Sequence, residues 1–379
     1  MHAVSIKGIN GDLNLGEGKI NKILGNLDEK IDAIIVKNSE EPFIDKNFFY
    51  LTDLKKGLFE GCIAVLFSDG GVELIVSQLE SESAYVSNLN VNVYKDNKEY
   101  KKILSETLGN SSKIGLNFSN IAHKDFINLK DFFPNKEFVN VSNALMKSRS
   151  VKDTDEIKLI SKAVEIADSV MGRIPEITKE GMKEFELAAE INYLMQKCGA
   201  DGPAFDTISS FGANSSQPHY SHGDKTLKNG EFILCDFGSC FEKYNSDITR
   251  TFVFKETDDK QKKMHEVVSG AQKIAFEKIK PGITGKEVHS EVEEYINKTE
   301  FAGRFIHGTG HSLGLNVHDG YVGLSPNSEI ELVENMVLTV EPGVYIPGFG
   351  GVRIEDDILV TSDGCKILSK SNRDLIHIY

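Results

Sequence analysis

Apolar side chains recur every three or four positions from Ile157 through Ile160, Val164, Ala167 and Met171 to Ile174, the stripe of an amphipathic helix that Pro175 is expected to stop. Leu187, Ala188, Ile191, Leu194, Met195 and Cys198 repeat the spacing, and Gly199 marks the expected end of that second helix. A hairpin is predicted next, with arms from Glu231 to Cys240 and from Asp247 to Phe254. The same order then recurs. Met264, Val267, Val268, Ala271, Ile274 and Ala275 form a third stripe, which Lys280-Pro281-Gly282 ends. Val288, Val292 and Ile296 outline a shorter helix, and a second hairpin is predicted from Met336 to Tyr345 and Val352 to Val360. Ile177-Thr178-Lys179-Glu180 set against Ile283-Thr284-Gly285-Lys286 hints at an internal duplication. Two related halves would face each other across a cleft.

The preceding part of the chain is patterned differently. Ala33 to Val36, Ile63 to Phe67, Val72 to Val76, Lys113 to Leu116 and Phe138 to Val141 read as short strands, with a hairpin turn at Ser68-Asp69-Gly70-Gly71 and a helix near Lys98 to Leu108. This predicts a small α/β domain over residues 1–148, without a catalytic cluster, followed by a larger domain over 149–379. A length of 379 residues suits two domains, and 40% apolar with 26% charged residues suits a folded soluble chain. The net charge of -14 repels phosphate backbones and anionic membrane surfaces, so neither nucleic acid nor membrane is an expected partner. Apolar runs such as Cys62 to Phe67 fall far short of the roughly 20 residues that span a bilayer, and no signal-peptide pattern opens the chain. Five scattered cysteines without a C-x-x-C spacing suggest reduced thiols and a cytoplasmic location.

The candidate chemistry lies in the hairpins. Asp236 and Asp247 are symmetric about Phe241 and Glu242, and Glu341 and Glu355 about Gly348. Symmetric partners in a regular hairpin sit opposite one another on one face, where two carboxylates repel unless a polyvalent cation lies between them. Their flanks, Phe232-Ile233-Leu234-Cys235 and Val337-Leu338-Thr339-Val340, are apolar, which places the acids near the core, where unpaired charge costs several kcal/mol. Any one of them read alone is a solvated or salt-bridged acid; four in this arrangement favour a metal site. A nitrogen ligand is available in His307-Gly308-Thr309-Gly310-His311-Ser312-Leu313-Gly314-Leu315-Asn316-Val317-His318. Its glycines, each about 1 kcal/mol unfavourable in a helix relative to Ala, argue for a loop or strand. Oxygen-rich ligation suits Mn²⁺, Co²⁺ or Fe²⁺. Two such ions would offset four carboxylates and hold a shared hydroxide at neutral pH, which predicts hydrolysis.

Asp236-Phe237-Gly238, Asp247-Ile248-Thr249-Arg250-Thr251, Gly310-His311, Glu341-Pro342-Gly343-Val344-Tyr345 and Arg353-Ile354-Glu355 resemble the signature segments of the pita-bread (creatinase, prolidase and methionine aminopeptidase-like) metallopeptidases. Tyr50-Leu51-Thr52 and the stretch from Glu73 to Leu79 resemble the creatinase-like N-terminal domain of the prolidase and aminopeptidase P branch. The resemblance implies an α+β fold: a pita-bread catalytic domain with internal pseudo-two-fold symmetry, preceded by a smaller α/β creatinase-like domain. It implies Asp236 on one metal, His311 and Glu341 on the other, and Asp247 and Glu355 bridging both. Mn²⁺ or Co²⁺ would come first as the metal, with Fe²⁺ or Zn²⁺ as alternatives. Glu341 would also move the proton, while His219, His307 and His318 would steady the substrate and the oxyanion, and Arg353 would stand beside the bridging Glu355. The implied substrate is a small peptide with proline in second position, a dipeptide first and a longer peptide as the alternative. The implied assembly is a homodimer. A non-catalytic binding module, or a metal-free creatinase-like hydrolase, would have lost ligands that this chain retains. Ser312, where the family usually has Gly, and Asp319, where it has Glu, depart from the pattern.

Overall fold

The computed structural model describes residues 15–379. It divides into two compact units, Met1–Ser148 and Arg149–Tyr379. In the first, six strands lie in the spatial order Asn90–Tyr94, Val72–Ser77, Ile63–Phe67, Ala33–Lys37, Lys113–Leu116 and Glu137–Asn140. Ile63–Phe67 runs antiparallel to both neighbours, and the remaining pairs are parallel. Ala33 and Ile35 pack with Leu104, Leu108 and Leu129 of helices Asn97–Leu108 and His123–Phe132, while Ile34 and Val36 are buried on the other face. Burial on both faces is why this central strand reads as a continuous apolar run. Asn90–Tyr94 went unpredicted because its sequence Asn-Val-Asn-Val-Tyr serves an edge position that is only partly buried.

The second unit repeats one arrangement. Helix Thr154–Met171 opens with a capping box between Asp153 and Glu156. It ends at Met171, ahead of the predicted stop, and Pro175 instead occupies the first turn of a short helix, Ile174–Ile177, where its missing N–H costs nothing. Helices Glu184–Lys197 and Asp259–Lys278 follow the predicted stripes, and Gly285–Asn297 completes the second pair. The two halves correspond through their caps. Lys183 and Thr284 cap equivalent helices, each two residues after a glycine of positive φ (Gly181 at 78° and Gly282 at 86°). Each also makes an isolated antiparallel bridge to a downstream residue, Lys183 to Thr226 and Thr284 to Glu331. This correspondence displaces the match suggested by Ile177-Thr178-Lys179-Glu180 by five residues.

Each hairpin turns one face to its own helix pair. Ile233, Cys235, Phe237, Ile248 and Phe252 pack with Ile191, Leu194 and Met195, whereas Leu338, Val340, Ile354 and Ile358 pack with Met264, Val268, Val288 and Val292. The strand period of two therefore puts Asp236, Thr249, Arg353 and Glu355 on the opposite, inward faces.

The register of the first hairpin differs from the symmetric reading. Asp236 pairs with Thr249, not with Asp247, and the pairing continues through Cys240 with Asn245 and Phe241 with Tyr244. The turn is Glu242-Lys243, both at positive φ (47° and 74°), the two-residue primed turn whose twist matches the strands. Centred one residue later than expected, it offsets Asp236 and Asp247 by two positions. That keeps both on the same face as diagonal neighbours. Gly238 is required here, since a Cβ would lie 1.8 Å from the Ser246 carbonyl oxygen. The second hairpin has the expected register: Val340 pairs with Asp356 and Gly343 with Arg353, which brackets Glu341 and Glu355 at opposed positions. No helix among the described residues is long and apolar enough to cross a membrane.

Candidate metal centre

The inward faces of both hairpins and the segment from His307 to His318 enclose a cavity of about 620 Å³, lined by Asp236, Asp247, His311, Glu341 and Glu355 together with His219, His307, His318 and Arg353. All nine residues singled out from the sequence are thus brought together. One donor atom each from Asp247, His311 and Glu355 lie within 4.8 Å of one another. His311 Nε2 stands 3.5 Å from Asp247 Oδ2 and 3.6 Å from Glu341 Oε1. Gly310-His311 forms a short strand against Gly323-Leu324, not a helix turn. Its neighbour Thr339 comes so close that a Cβ on Gly310 would meet the Thr339 carbonyl oxygen at 1.9 Å.

Four carboxylates face one guanidinium, and the consequences are those of crowded buried charge. Burial, then repulsion from Glu355, Asp236, Asp357 and Glu341, pushes the Asp247 carboxyl well above its usual range. Burial, then Glu341 and Asp236, does the same to Glu355, and burial raises Glu341 to about 8. Burial and the neighbouring His318 lower His311 to about 3, so its imidazole is neutral. His311 Nδ1 donates to the Ser312 carbonyl oxygen at 3.2 Å, leaving the Nε2 lone pair aimed at the acids. Asp236 Oδ1 and Asp247 Oδ1 are buried without a hydrogen-bond partner. Orphaned carboxyl oxygens beside an unprotonated imidazole nitrogen are the donor set of a divalent cation, and this set fits one.

A second layer orients these groups. Arg353 Nη2 donates to Asp236 Oδ2, Nε to Thr249 Oγ1 at 3.0 Å, and Nη1 to the Tyr345 hydroxyl at 2.9 Å. The Thr249 hydroxyl in turn donates to Glu355 Oε2 at 2.6 Å. One guanidinium therefore fixes two of the expected ligands, one directly and one through Thr249. Thr249 and Tyr345 carried no predicted role, although both stand inside the quoted motifs. Behind Asp247, buried Asp357 accepts the Asp247 backbone N–H at 3.0 Å.

His307 lines the cavity with both ring nitrogens engaged. Its Nδ1 faces the Gly308 carbonyl oxygen at 2.8 Å and must donate, so Nε2, 2.8 Å from the Tyr345 hydroxyl, accepts. With burial lowering its pKa to about 3, the ring is neutral and both nitrogens are engaged. It holds Tyr345 toward Arg353, with its ring proton directed at the Gly308 carbonyl oxygen. His219 and His318, by contrast, are exposed at the cavity wall. The two departures from the family pattern are accommodated away from the cavity: the Ser312 hydroxyl donates to the Val322 carbonyl oxygen, and the Asp319 carboxylate pairs with Arg149.

The raised carboxyl pKa values set a pH dependence. Glu341 is held protonated in the metal-free fold up to about 8, against a usual 4.5. Its favourable contribution is complete at low pH and is lost as pH rises through about 8, and Asp247 and Glu355 act in the same direction. A bound cation displaces these protons. The melting temperature of chelator-treated protein is therefore expected to fall between pH 5.5 and 8.5, and the increment on adding Mn²⁺ to grow over the same interval. An increment that shrinks with rising pH would contradict this picture.

Residues 158–362 match metallopeptidase family M24, and residues 20–151 match the creatinase/prolidase N-terminal domain. The chain is 40% identical over 363 residues to the Xaa-Pro dipeptidase of Pyrococcus horikoshii, spanning 94% of this chain and 98% of that one. Among solved structures it resembles the prolidase from Pyrococcus horikoshii OT3 (TM-score 0.86, 38% identity, 94% and 99% of the two chains covered). It is equally similar in fold to the X-Pro aminopeptidase from Thermotoga maritima (TM-score 0.86, 32% identity, 92% and 98% covered).

Proposed function

The chain belongs to metallopeptidase family M24, and from that premise we propose that it hydrolyses the peptide bond before proline in small peptides, Xaa-Pro dipeptides first. The observation that carries the reading is the pair of orphaned oxygens, Asp236 Oδ1 and Asp247 Oδ1, in a cavity that also holds the free Nε2 of His311. Asp236 would hold one divalent cation, His311 and Glu341 a second, and Asp247 and Glu355 both, with Mn²⁺ or Co²⁺ the preferred ions. When bound, such a pair supplies Lewis acidity and brings the pKa of water toward neutrality. Glu341, whose carboxyl favours the proton so strongly, is the group to take and return a proton during cleavage. His219 and His318 would donate to the carbonyl oxygen as it gains charge. Arg353 holds Asp236 in place directly and Glu355 through Thr249.

Proline gives such a site its purpose, because an Xaa-Pro bond is a tertiary amide without the N–H that extended-backbone proteases bind. Cleavage of longer peptides is the second reading, favoured by the equal fit to the Thermotoga maritima X-Pro aminopeptidase. A homodimer in the cytoplasm belongs to the same proposal. A release assay on Xaa-Pro, Xaa-Pro-Xaa and Xaa-Ala substrates with Mn²⁺ or Co²⁺ separates these readings. Hydrolysis is expected for Xaa-Pro, little for Xaa-Ala, and none after chelation. No cleavage of any Xaa-Pro substrate with Mn²⁺, Co²⁺, Fe²⁺ or Zn²⁺ would refute the proposal.

A further inference from the structure

Glu184 is the first residue of helix Glu184–Lys197. An acid there ordinarily faces water and complements the helix dipole, yet this side chain is 0% exposed. Residues 211–223 cover it. Its Oε1 accepts from the Phe211 backbone N–H at 2.8 Å and from Asn214 Nδ2 at 3.0 Å. Its Oε2 accepts from the Tyr220 hydroxyl at 2.8 Å and from the Gly223 backbone N–H at 3.1 Å. Four donors fill the four lone-pair sites of one carboxylate, and among the described residues no lysine or arginine pairs with it. The buried charge is stabilised by the loop alone, through charge-assisted bonds about twice as strong as neutral ones.

That loop carries His219. Its two flanking residues are both tethered, Tyr220 by Glu184 and Pro218 through its carbonyl oxygen, 3.5 Å from Arg353 Nη1. Ser215 adds a third anchor by accepting the Gly351 N–H of the second hairpin at 2.8 Å. The imidazole itself is exposed at the cavity wall. We infer that Glu184 is a positioning residue for the peptidase site: its carboxylate gathers the loop from Phe211 to Gly223 and so sets where His219 meets the scissile carbonyl. This rests on the role proposed above for His219.

A carboxylate, not an amide, is required. In Glu184→Gln one oxygen becomes an NH₂ group that faces donors, and at least one backbone N–H, Phe211 or Gly223, loses its acceptor. The helix keeps its own cap from Lys183 and Glu186. A displacement of about 1 Å at a reacting group costs on the order of 10²-fold, so kcat for an Xaa-Pro substrate is expected to fall about 10- to 100-fold with bound metal unchanged. The discriminating measurement is the double-mutant cycle with His219→Ala. If Glu184 acts through His219, adding Glu184→Gln to His219→Ala lowers kcat by no more than about 2-fold. Tyr220→Phe, which removes one of the four donors, runs the same cycle with a smaller loss should Glu184→Gln not fold. Losses that multiply, or an undiminished kcat in the single variants, overturn the inference while leaving the peptidase reading intact. Wild-type protein that cleaves no Xaa-Pro bond overturns both.

Discussion

Asp247→Asn is expected to lower kcat/KM for an Xaa-Pro substrate by about 10³-fold and, once metal is removed, to raise the melting temperature. Both signs follow from the same crowding. Asp247 is 4% exposed, with one oxygen lacking any protein partner and the other 3.5 Å from His311 Nε2. Asparagine has nearly the same shape but no charge, and its NH₂ group cannot ligate a cation. Several kcal/mol of electrostatic stabilisation are lost from the reaction, and each 1.36 kcal/mol is tenfold in rate. In the metal-free fold, however, the neutral amide removes the penalty of burying a carboxyl beside Glu355 and Asp236. That relief is worth about 1 kcal/mol by analogy with neutral replacements of buried charge, or roughly 2 to 4 °C in a unit of this size. With Mn²⁺ present the order of melting temperatures should reverse. Melting curves of both proteins with and without chelator decide the matter, and a variant less stable in both states would show that the acids do not repel.

Arg353→Met should cost about 3 kcal/mol of stability. Removing one partner of a buried ion pair strands the other charge, here Asp236, which is 7% exposed and bonded to Arg353 Nη2. The same substitution leaves Thr249 without the donor that orients it toward Glu355 and Tyr345 with only His307. Activity should therefore vanish together with stability, and added Mn²⁺ should recover part of the stability by supplying Asp236 with another positive charge. Arg353→Lys keeps the charge but not the three-way fork, so an intermediate loss is expected. Denaturant midpoints for the two variants, with and without Mn²⁺, test this ordering, and equal midpoints for Arg353→Met and the unaltered protein would remove Arg353 from the account.

The contrast between the two hairpins shows what local patterning conveys. In the second, Gly348 at φ 78° and Gly350 mark the bend, and the symmetric placement of Glu341 and Glu355 about it matches the observed pairing. In the first, Glu242-Lys243 make a turn that usually calls for Asn-Gly, so nothing in the composition announced its centre, and the register moved by two. The acids were still legible, because a shift of two positions leaves a side chain on the same face. Glu184 shows the opposite case. As a helix-opening acid ahead of an amphipathic stripe it reads as a surface residue, and only the loop folded over it makes it buried.

Sequence alone determined the order of helices and hairpins, the repeated half and the four candidate acids. Each of these is written in spacings of a few residues, where periodicity and apolar flanks act directly. Tertiary structure decided the rest: the partner of Asp236, the partners of the His307 and His311 ring nitrogens, and the residue that anchors the His219 loop. Those outcomes depend on hydrogen bonds between groups far apart in the chain, such as Arg353 with Asp236 and Thr249 with Glu355, separated by 117 and 106 positions. Donors and acceptors so distant meet only when the two cores pack, and no local pattern encodes which of them will pair.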